Sequence, residues 1–101
     1  MYLQLESGKL IKDVTEADLE RLIEGEQFAI LGSDDNTYIQ CAEQSDPPYE
    51  YILEYQAGST KRHYHAVDEP ITLDRVLSAF AKYLRRDESW RDDFRWEKMD
   101  L

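Results

Sequence analysis

Four short runs of residues that favour β-strands lie between two helical segments, and clusters of turn-forming residues separate them. The runs cover residues 27–32, 37–43, 49–56 and 61–67, and the separators are residues 33–36, 44–48 and 57–60. Each separator contains Gly, Pro, Asn, Asp or Ser and is short enough to close a hairpin. The pattern therefore predicts an antiparallel meander of four strands.

The three hairpins can be closed in registers that agree with one another. They pair Gly32 with Thr37, Glu43 with Tyr49, and Gln56 with Lys61. These registers put one set of side chains on a single face, which we predict to be the core: Phe28, Ile30, Ile39, Cys41, Tyr51, Leu53, Tyr64 and Ala66. Because side chains alternate along a strand, a slip of one residue would turn a strand over.

The opposite face of the predicted sheet mixes apolar, polar and titratable side chains. Its two rows are predicted to be Leu31, Tyr38, Glu54, His63 and Ala29, Gln40, Ile52, His65. Apolar residues on an open antiparallel face need either cover from another segment or a partner. We favour cover by the N-terminal segment or the C-terminal tail, whose own apolar residues also need somewhere to pack.

The two helical segments carry recognisable end signals. Thr15 is a good N-cap and Asp18 stands where a carboxylate reaches back to the cap, so a helix is predicted over residues 16–24, before Gly25. Thr72 similarly precedes a helix over residues 73–85. A short turn is expected over residues 88–93, capped by Asp87, and a short strand at residues 94–97.

These elements predict an α+β domain spanning residues 1–101, with two helices packed on one face of a four-stranded meander. Terminal strands could add a fifth and a sixth. Hydrophobic residues make up 42% of the chain, which is enough to bury a core. The sequence has no run of about 18 apolar residues and no signal peptide. With one cysteine, Cys41, and no internal disulfide, we expect a cytoplasmic location.

The charge of the chain is uneven. The first 57 residues carry 13 acidic and 3 basic side chains, which accounts for the net charge of −10, whereas the remaining residues carry nine of each. Such a field repels nucleic acid and anionic lipid and attracts basic protein. The distribution therefore favours a basic protein partner and disfavours nucleic acid and membranes.

His63 and His65 lie two residues apart on one predicted strand face, with Glu54 opposite His63. Two imidazoles and a carboxylate could hold a metal ion or a small ligand, or serve a small enzyme. We favour a cross-strand ion pair between Glu54 and His63. Cys41 falls on the core face, where a thiol is usually inert. No catalytic residue, metal site or cofactor is therefore expected.

The stretch ITLDRVLSAFAKYL over residues 71–84, followed by Asp87, Trp90, Phe94 and Trp96, resembles the ends of small bacterial proteins predicted to be immunity proteins of polymorphic toxin systems. The resemblance covers about the last third of the chain and implies an acidic α+β protein that binds a toxin. The matched positions look like packing residues, and no catalytic set is implied.

The favoured function is a non-catalytic protein-binding module, most concretely an immunity-type inhibitor, acting as a monomer or a homodimer. Acidic side chains would steer a basic partner, and the open sheet face would anchor it. The predicted contact and steering residues are Leu31, Asp34, Asp35, Tyr38, Gln40, Glu50, Ile52, Glu54, His63 and His65. The alternatives are a small enzyme or metal- or ligand-binding domain using His63, His65 and Glu54, and a structural homodimer subunit.

Overall fold

Seven antiparallel strands form a single sheet in the computed structural model, which describes residues 1–44, 51–67 and 70–100. The strands are β1 (Tyr2–Leu5), β2 (Leu10–Lys12), β3 (Phe28–Asp34), β4 (Thr37–Glu43), β5 (Tyr51–Ala57), β6 (His63–Ala66) and β7 (Trp96–Lys98). Their order across the sheet is β2-β1-β3-β4-β5-β6-β7. Helix α1 (Glu16–Ile23) connects β2 to β3, and helix α2 (Leu73–Leu84) lies between β6 and β7.

The helix signals in the sequence are confirmed. Thr15 caps α1 and forms a capping box with Asp18, in which each side chain accepts a hydrogen bond from the other residue's backbone N–H. Gly25 adopts a left-handed φ of 86° just after the helix. Thr72 caps α2, and Asp87 caps the predicted turn, a 3₁₀ turn over Glu88–Asp93.

The predicted count of four to six strands is wrong, because both chain ends extend the sheet. The N-terminal segment forms the hairpin β1–β2, and β1 pairs with β3 through Tyr2 opposite Gly32. The tail forms β7, which pairs with β6. The expected cover of the open face by the termini is therefore also wrong: the N-terminal segment and tail lie at the sheet edges. The α+β class itself is as predicted.

The predicted register of the first hairpin is wrong by one residue. Asp34 pairs with Thr37 around a two-residue turn, and Gly32 pairs with Tyr38, which leaves Ser33 as a bulge. Since side chains alternate, this shift turns β3 over relative to the prediction. Phe28 and Ile30 leave the predicted core face, and two residues that were expected outside, Ala29 and Leu31, become fully buried.

The other two hairpins differ from the prediction by two residues, which preserves the faces. Glu43 lies opposite Tyr51, and Gln56 lies opposite His63. In the third hairpin the extra length is a 3₁₀ turn over Thr60–Arg62, where the sequence had suggested the start of a strand. The predicted core residues of β4, β5 and β6 consequently remain on the correct side of the sheet.

The core lies between one face of the sheet and both helices. Strand residues such as Leu3, Leu31 and Leu53 pack with Leu19 of α1 and Phe80 of α2. Beside β7 the core continues as an aromatic cluster, in which the ring of Trp90 meets Tyr55, Tyr83 and Trp96 at centroid distances between 4.8 and 5.7 Å. None of the helices in the described ranges has the length and apolar character needed to span a bilayer.

Candidate functional site: the open face of the sheet

The sheet face opposite the helices, here called the open face, is built from alternate positions of all seven strands. The pairing registers place the following residues on it: Tyr2, Gln4, Leu10, Lys12, Phe28, Ile30, Gly32, Tyr38, Gln40, Ala42, Ile52, Glu54, Gln56, His63, His65 and Glu97. None of them belongs to the buried hydrophobic cluster that the helices cover. Leu10 is 54% exposed and Ile52 is 39% exposed.

A hydrogen-bonded cluster of five side chains occupies the centre of the open face; we call Tyr38, Gln40, Glu54, Gln56 and His63 the polar network. The Tyr38 hydroxyl donates to Gln56 Oε1 at 3.3 Å, and Gln40 Nε2 donates to Glu54 Oε1 at 3.1 Å. His63 connects these two hydrogen-bonded pairs. Its Nδ1 lies 3.0 Å from Gln56 Oε1, and its Nε2 lies 2.6 Å from Glu54 Oε1.

Two side-chain oxygens flank the imidazole ring of His63. Gln56 Nε2 donates to the backbone oxygen of Asn36 at 3.2 Å, so Gln56 Oε1 faces His63 as an acceptor. Glu54 presents a second acceptor oxygen to the other ring nitrogen. Both ring nitrogens of His63 therefore lie within hydrogen-bond distance of an acceptor oxygen.

The network is rigid because its centre is buried and its polar atoms are satisfied. His63 is 2% exposed and Gln56 is 4% exposed. Within the described ranges, no buried side-chain nitrogen or oxygen lacks a hydrogen-bond partner. Burial, followed by the negative charge of Glu54, raises the pKa of Tyr38, so its hydroxyl keeps the proton that it donates. Fully satisfied networks of this kind hold a surface in one arrangement.

Next to the network, the ring of Tyr2 lies across Gly32. A side-chain carbon added at Gly32 would come within 2.7 Å of the Tyr2 hydroxyl and 2.9 Å of the Thr37 backbone oxygen. The missing side chain therefore lets Tyr2 close over the strand. Burial raises the pKa of Tyr2, with smaller contributions from Asp35, Tyr38 and Asp34. The two hairpin carboxylates are consequently within electrostatic reach of the open face.

The predicted contact between the Glu54 and His63 side chains is present, although its geometry is diagonal. Glu54 lies directly opposite His65, and His63 lies directly opposite Gln56. In the described part of the chain, no three His, Cys, Asp or Glu side chains are grouped to hold a metal ion. Both ring nitrogens of the buried His63 face acceptor oxygens.

Most of the predicted site residues share the open face. Tyr38, Gln40, Ile52, Glu54, His63 and His65 lie there, as expected. Leu31 does not: the reversed strand β3 buries it completely on the helix side. Asp34 and Asp35 lie at the β3–β4 hairpin, at the end of the face. Glu50 lies outside the described residues.

Several open-face residues were missed by the sequence analysis. Ile30 and Phe28 were assigned to the core through the register error, and Tyr2 was not assigned to a strand. Gln56 could have been found, because it stands two residues after Glu54 in one predicted strand and therefore shares its face. Cys41 lies on the helix side as predicted, and burial raises the pKa of its thiol to about 12.

Comparison of the chain with protein-family models, curated proteins and solved structures finds no match.

Proposed function

We propose that the chain is a non-catalytic binding module that docks a basic protein on its open face. The observation that carries this proposal is the placement of both helices on one side of the sheet, which leaves the open face without cover in the described part of the chain. The resemblance of residues 71–84 to immunity proteins gives the proposal its most concrete form, an inhibitor that occludes a toxin.

The polar network supports docking because it makes the open face rigid before a partner arrives. Binding costs free energy when loops and long side chains must be ordered, and a preformed surface avoids much of that cost. Here Tyr38 and Glu54 are held by hydrogen bonds to the buried Gln56 and His63, and Gln40 is held by its hydrogen bond to Glu54. Their half-buried side chains can therefore contact a partner without first losing much conformational freedom.

The chemical composition of the open face also suits a protein partner. Tyr38 contributes an aromatic ring from the middle strand β4, and Ile52 exposes an apolar side chain beside the polar network. Interfaces typically combine an aromatic or apolar centre with polar groups around it. Seven strands at a spacing of about 4.8 Å make a face about 29 Å wide, which suits a standard interface of about 800 Å² per partner.

The charge of the chain supports a basic partner. Its net charge is −10, and the excess lies in the first 57 residues. Asp34 and Asp35 act electrostatically on Tyr2, at the end of the open face. Complementary charge speeds the encounter of two proteins and orients them. The contact itself would be made by the open face.

The proposal is tested by affinity capture with two variants that add the same charge on opposite sides of the sheet. Ile52→Arg adds a cation at an exposed position of the open face, whereas Ala17→Arg adds one on the exposed surface of α1. Both change the net charge equally, so they weaken long-range attraction to a basic partner by similar amounts. Only Ile52→Arg places a bulky charge in the proposed interface.

We expect the wild-type chain and Ala17→Arg to retain a stoichiometric basic protein that a high-salt wash weakens, and Ile52→Arg to lose it. Circular dichroism checks that both variants remain folded. Equal capture by Ile52→Arg and the wild-type chain would contradict docking on the open face. Capture of a second copy of this chain, and not of a basic protein, would contradict the proposed partner.

A further inference from the structure

A pocket of about 200 Å³ lies away from the open face, where the β3–β4 hairpin meets the end of α2. Its lining includes Ser33 and Thr37 from the hairpin and Tyr83, Arg86, Glu88 and Arg91 from the end of α2 and the following turn. None of the five polar-network residues lines it. Its volume is below the roughly 300–1,000 Å³ of sites for drug-sized molecules, so it suits a small ligand.

Two guanidinium groups border this pocket in a chain of strongly negative net charge. The Arg86 guanidinium makes no hydrogen bond or ion pair with any residue of the described ranges. Within the described ranges, the ion pair of Arg91 is a long contact of 4.0 Å with Glu88, and its side chain is 45% exposed. Its guanidinium also lies 5.3 Å from the ring centroids of Tyr55 and Trp90. Among the lining side chains, two arginines are accompanied by one carboxylate, Glu88, so the lining itself carries an excess of positive charge. Asp34 acts electrostatically on Tyr83 from outside the lining.

The backbone at Arg86 holds it in an unfavourable conformation. Its φ is 62°, in the left-handed region. Arg86 N–H donates to the Tyr83 oxygen at 3.1 Å and Asp87 N–H donates to the Lys82 oxygen at 2.9 Å, which is the Schellman pattern of a helix end. Glycine is the usual residue at this position because it has no side-chain penalty there. The chain instead carries an arginine that borders the pocket.

Hydroxyl groups complete the donor set. Burial raises the pKa of Tyr83 to about 12; the charges of Tyr2 and Asp34 add to this and those of Arg91 and Arg86 oppose it. The Tyr83 hydroxyl is therefore protonated at neutral pH and can donate. Ser33 and Thr37, two hydroxyl-bearing residues, line the pocket from the hairpin side. Guanidinium and hydroxyl donors together match the oxygens of a carboxylate or a phosphate group.

We propose that this pocket binds a small oxyanion, a carboxylate or phosphate group, between the guanidinium groups of Arg86 and Arg91, with the Tyr83 hydroxyl as a further donor. The site is separate from the proposed docking face and does not depend on it.

The probes for the test are inorganic phosphate and acetate, each added to the full ¹⁵N-labelled chain at pH 7. Sodium chloride is withdrawn in step, so that the ionic strength stays constant. We expect saturable shifts in the amide signals of Tyr83 and Arg91 with at least one probe. The two titrations distinguish a phosphate site from a carboxylate site, and the absence of saturation with both would overturn the proposal.

Two variants show whether Arg86 binds the anion. Arg86→Gly removes the guanidinium and places the usual residue at the left-handed helix end, so this variant is expected to melt at least as high as the wild-type chain. We expect its affinity for the probe to fall at least about tenfold, as for the loss of one charge-assisted donor. Lys9→Gln removes one cation from the β1–β2 turn, at the far end of the sheet, and is expected to bind normally. Unchanged binding by Arg86→Gly, or an equal loss in Lys9→Gln, would overturn the assignment.

Discussion

The Nε2 atom of His63 lies 2.6 Å from Oε1 of Glu54, and this contact runs diagonally between two neighbouring rows of the open face. The residue directly opposite Glu54 is His65, and the residue directly opposite His63 is Gln56. The diagonal contact therefore ties the row of Tyr38, Gln56 and His63 to the row of Gln40, Glu54 and His65. A surface joined in this way keeps its shape when water or a partner protein contacts it.

Glu54→Ala is expected to lower the free energy of unfolding by about 1–3 kcal/mol, because it leaves the buried Nε2 of His63 without its acceptor. Urea denaturation followed by circular dichroism measures the change. Glu97→Ala is the matched control: Glu97 lies opposite His65 on the same face but is exposed. That variant should stay within about 0.5 kcal/mol of the wild-type chain. Equal losses of stability in both variants would contradict a stabilising contribution from the polar network.

Gly32→Ala is expected to destabilise the fold by about 1–3 kcal/mol through overpacking. The added carbon would meet the Tyr2 ring and hydroxyl and the Thr37 backbone oxygen at less than 3.0 Å. In a Tyr2→Ala background the same substitution should lower the free energy of unfolding by a smaller amount, because the close contact with Tyr2 is removed. Some loss of stability should remain, because the close contact with the Thr37 backbone oxygen is still present. Urea denaturation of the four chains measures this coupling. A Gly32→Ala variant as stable as the wild-type chain would contradict the close approach.

The helices were predictable from sequence because their signals are local. Thr15, Asp18 and Gly25 act within a few residues of the helix ends, and no distant contact is needed to interpret them. The side chains of β4, β5 and β6 were also assigned to the correct faces of the sheet. The predicted registers were wrong by two residues, and an error of two residues does not turn a strand over. The half of the candidate site that lies on β4–β6 was therefore predictable from the sequence.

The bulge at Ser33 was not predictable from the turn residues alone. A four-residue loop over residues 33–36 and a two-residue turn with a bulge both suit Ser-Asp-Asp-Asn, and only the packing of Leu31 against the helices selects the second. The N-terminal hairpin was not predicted because β2 has only three residues, which is too short for an alternation signal, and because β1 pairs with β3, which is distant in sequence. The short strand predicted at residues 94–97 is present as β7, but its pairing with the distant β6 was not predicted.

The stability of the fold is expected to fall as the pH rises from about 9 to about 12. Burial raises the pKa of Cys41 from 9.0 to about 12 and that of Tyr83 from 10.0 to about 12. The unfolded chain therefore loses these protons at a lower pH than the folded chain does. The contribution of the two groups to the free energy of unfolding is fully present below about pH 9 and is lost as the pH rises above it. Urea denaturation at pH 8, 9, 10 and 11 measures the fall.

Cys41→Ala is the control for this pH dependence, because it removes one of the two groups and leaves the other titrating groups in place. The fall in stability between pH 9 and 10 should be shallower in this variant than in the wild-type chain. Identical slopes would show that the thiol is not shielded in the folded state. As a second check, a thiol reagent at pH 8 should label the native chain much more slowly than the urea-unfolded chain.

Charge reversal at the hairpin is expected to slow association with the basic partner. Asp34→Lys combined with Asp35→Lys should reduce the association rate constant about tenfold at low ionic strength, and the difference should shrink in high salt. Surface plasmon resonance measures both rate constants. Asp92→Lys combined with Asp100→Lys changes the net charge by the same amount outside the acidic part of the chain. A similar slowing in both double variants would contradict local steering.

The most direct test of the open face as the docking surface is a methyl spectrum of isoleucine-labelled chain with and without the captured partner. Ile30 and Ile52 lie on the open face, whereas Ile23, Ile39 and Ile71 are buried on the helix side. Docking as proposed shifts or broadens the Ile30 and Ile52 methyl signals and leaves those of the buried Ile23, Ile39 and Ile71 near their free positions. A spectrum in which Ile23 or Ile71 moves while Ile30 and Ile52 stay in place would contradict docking on the open face.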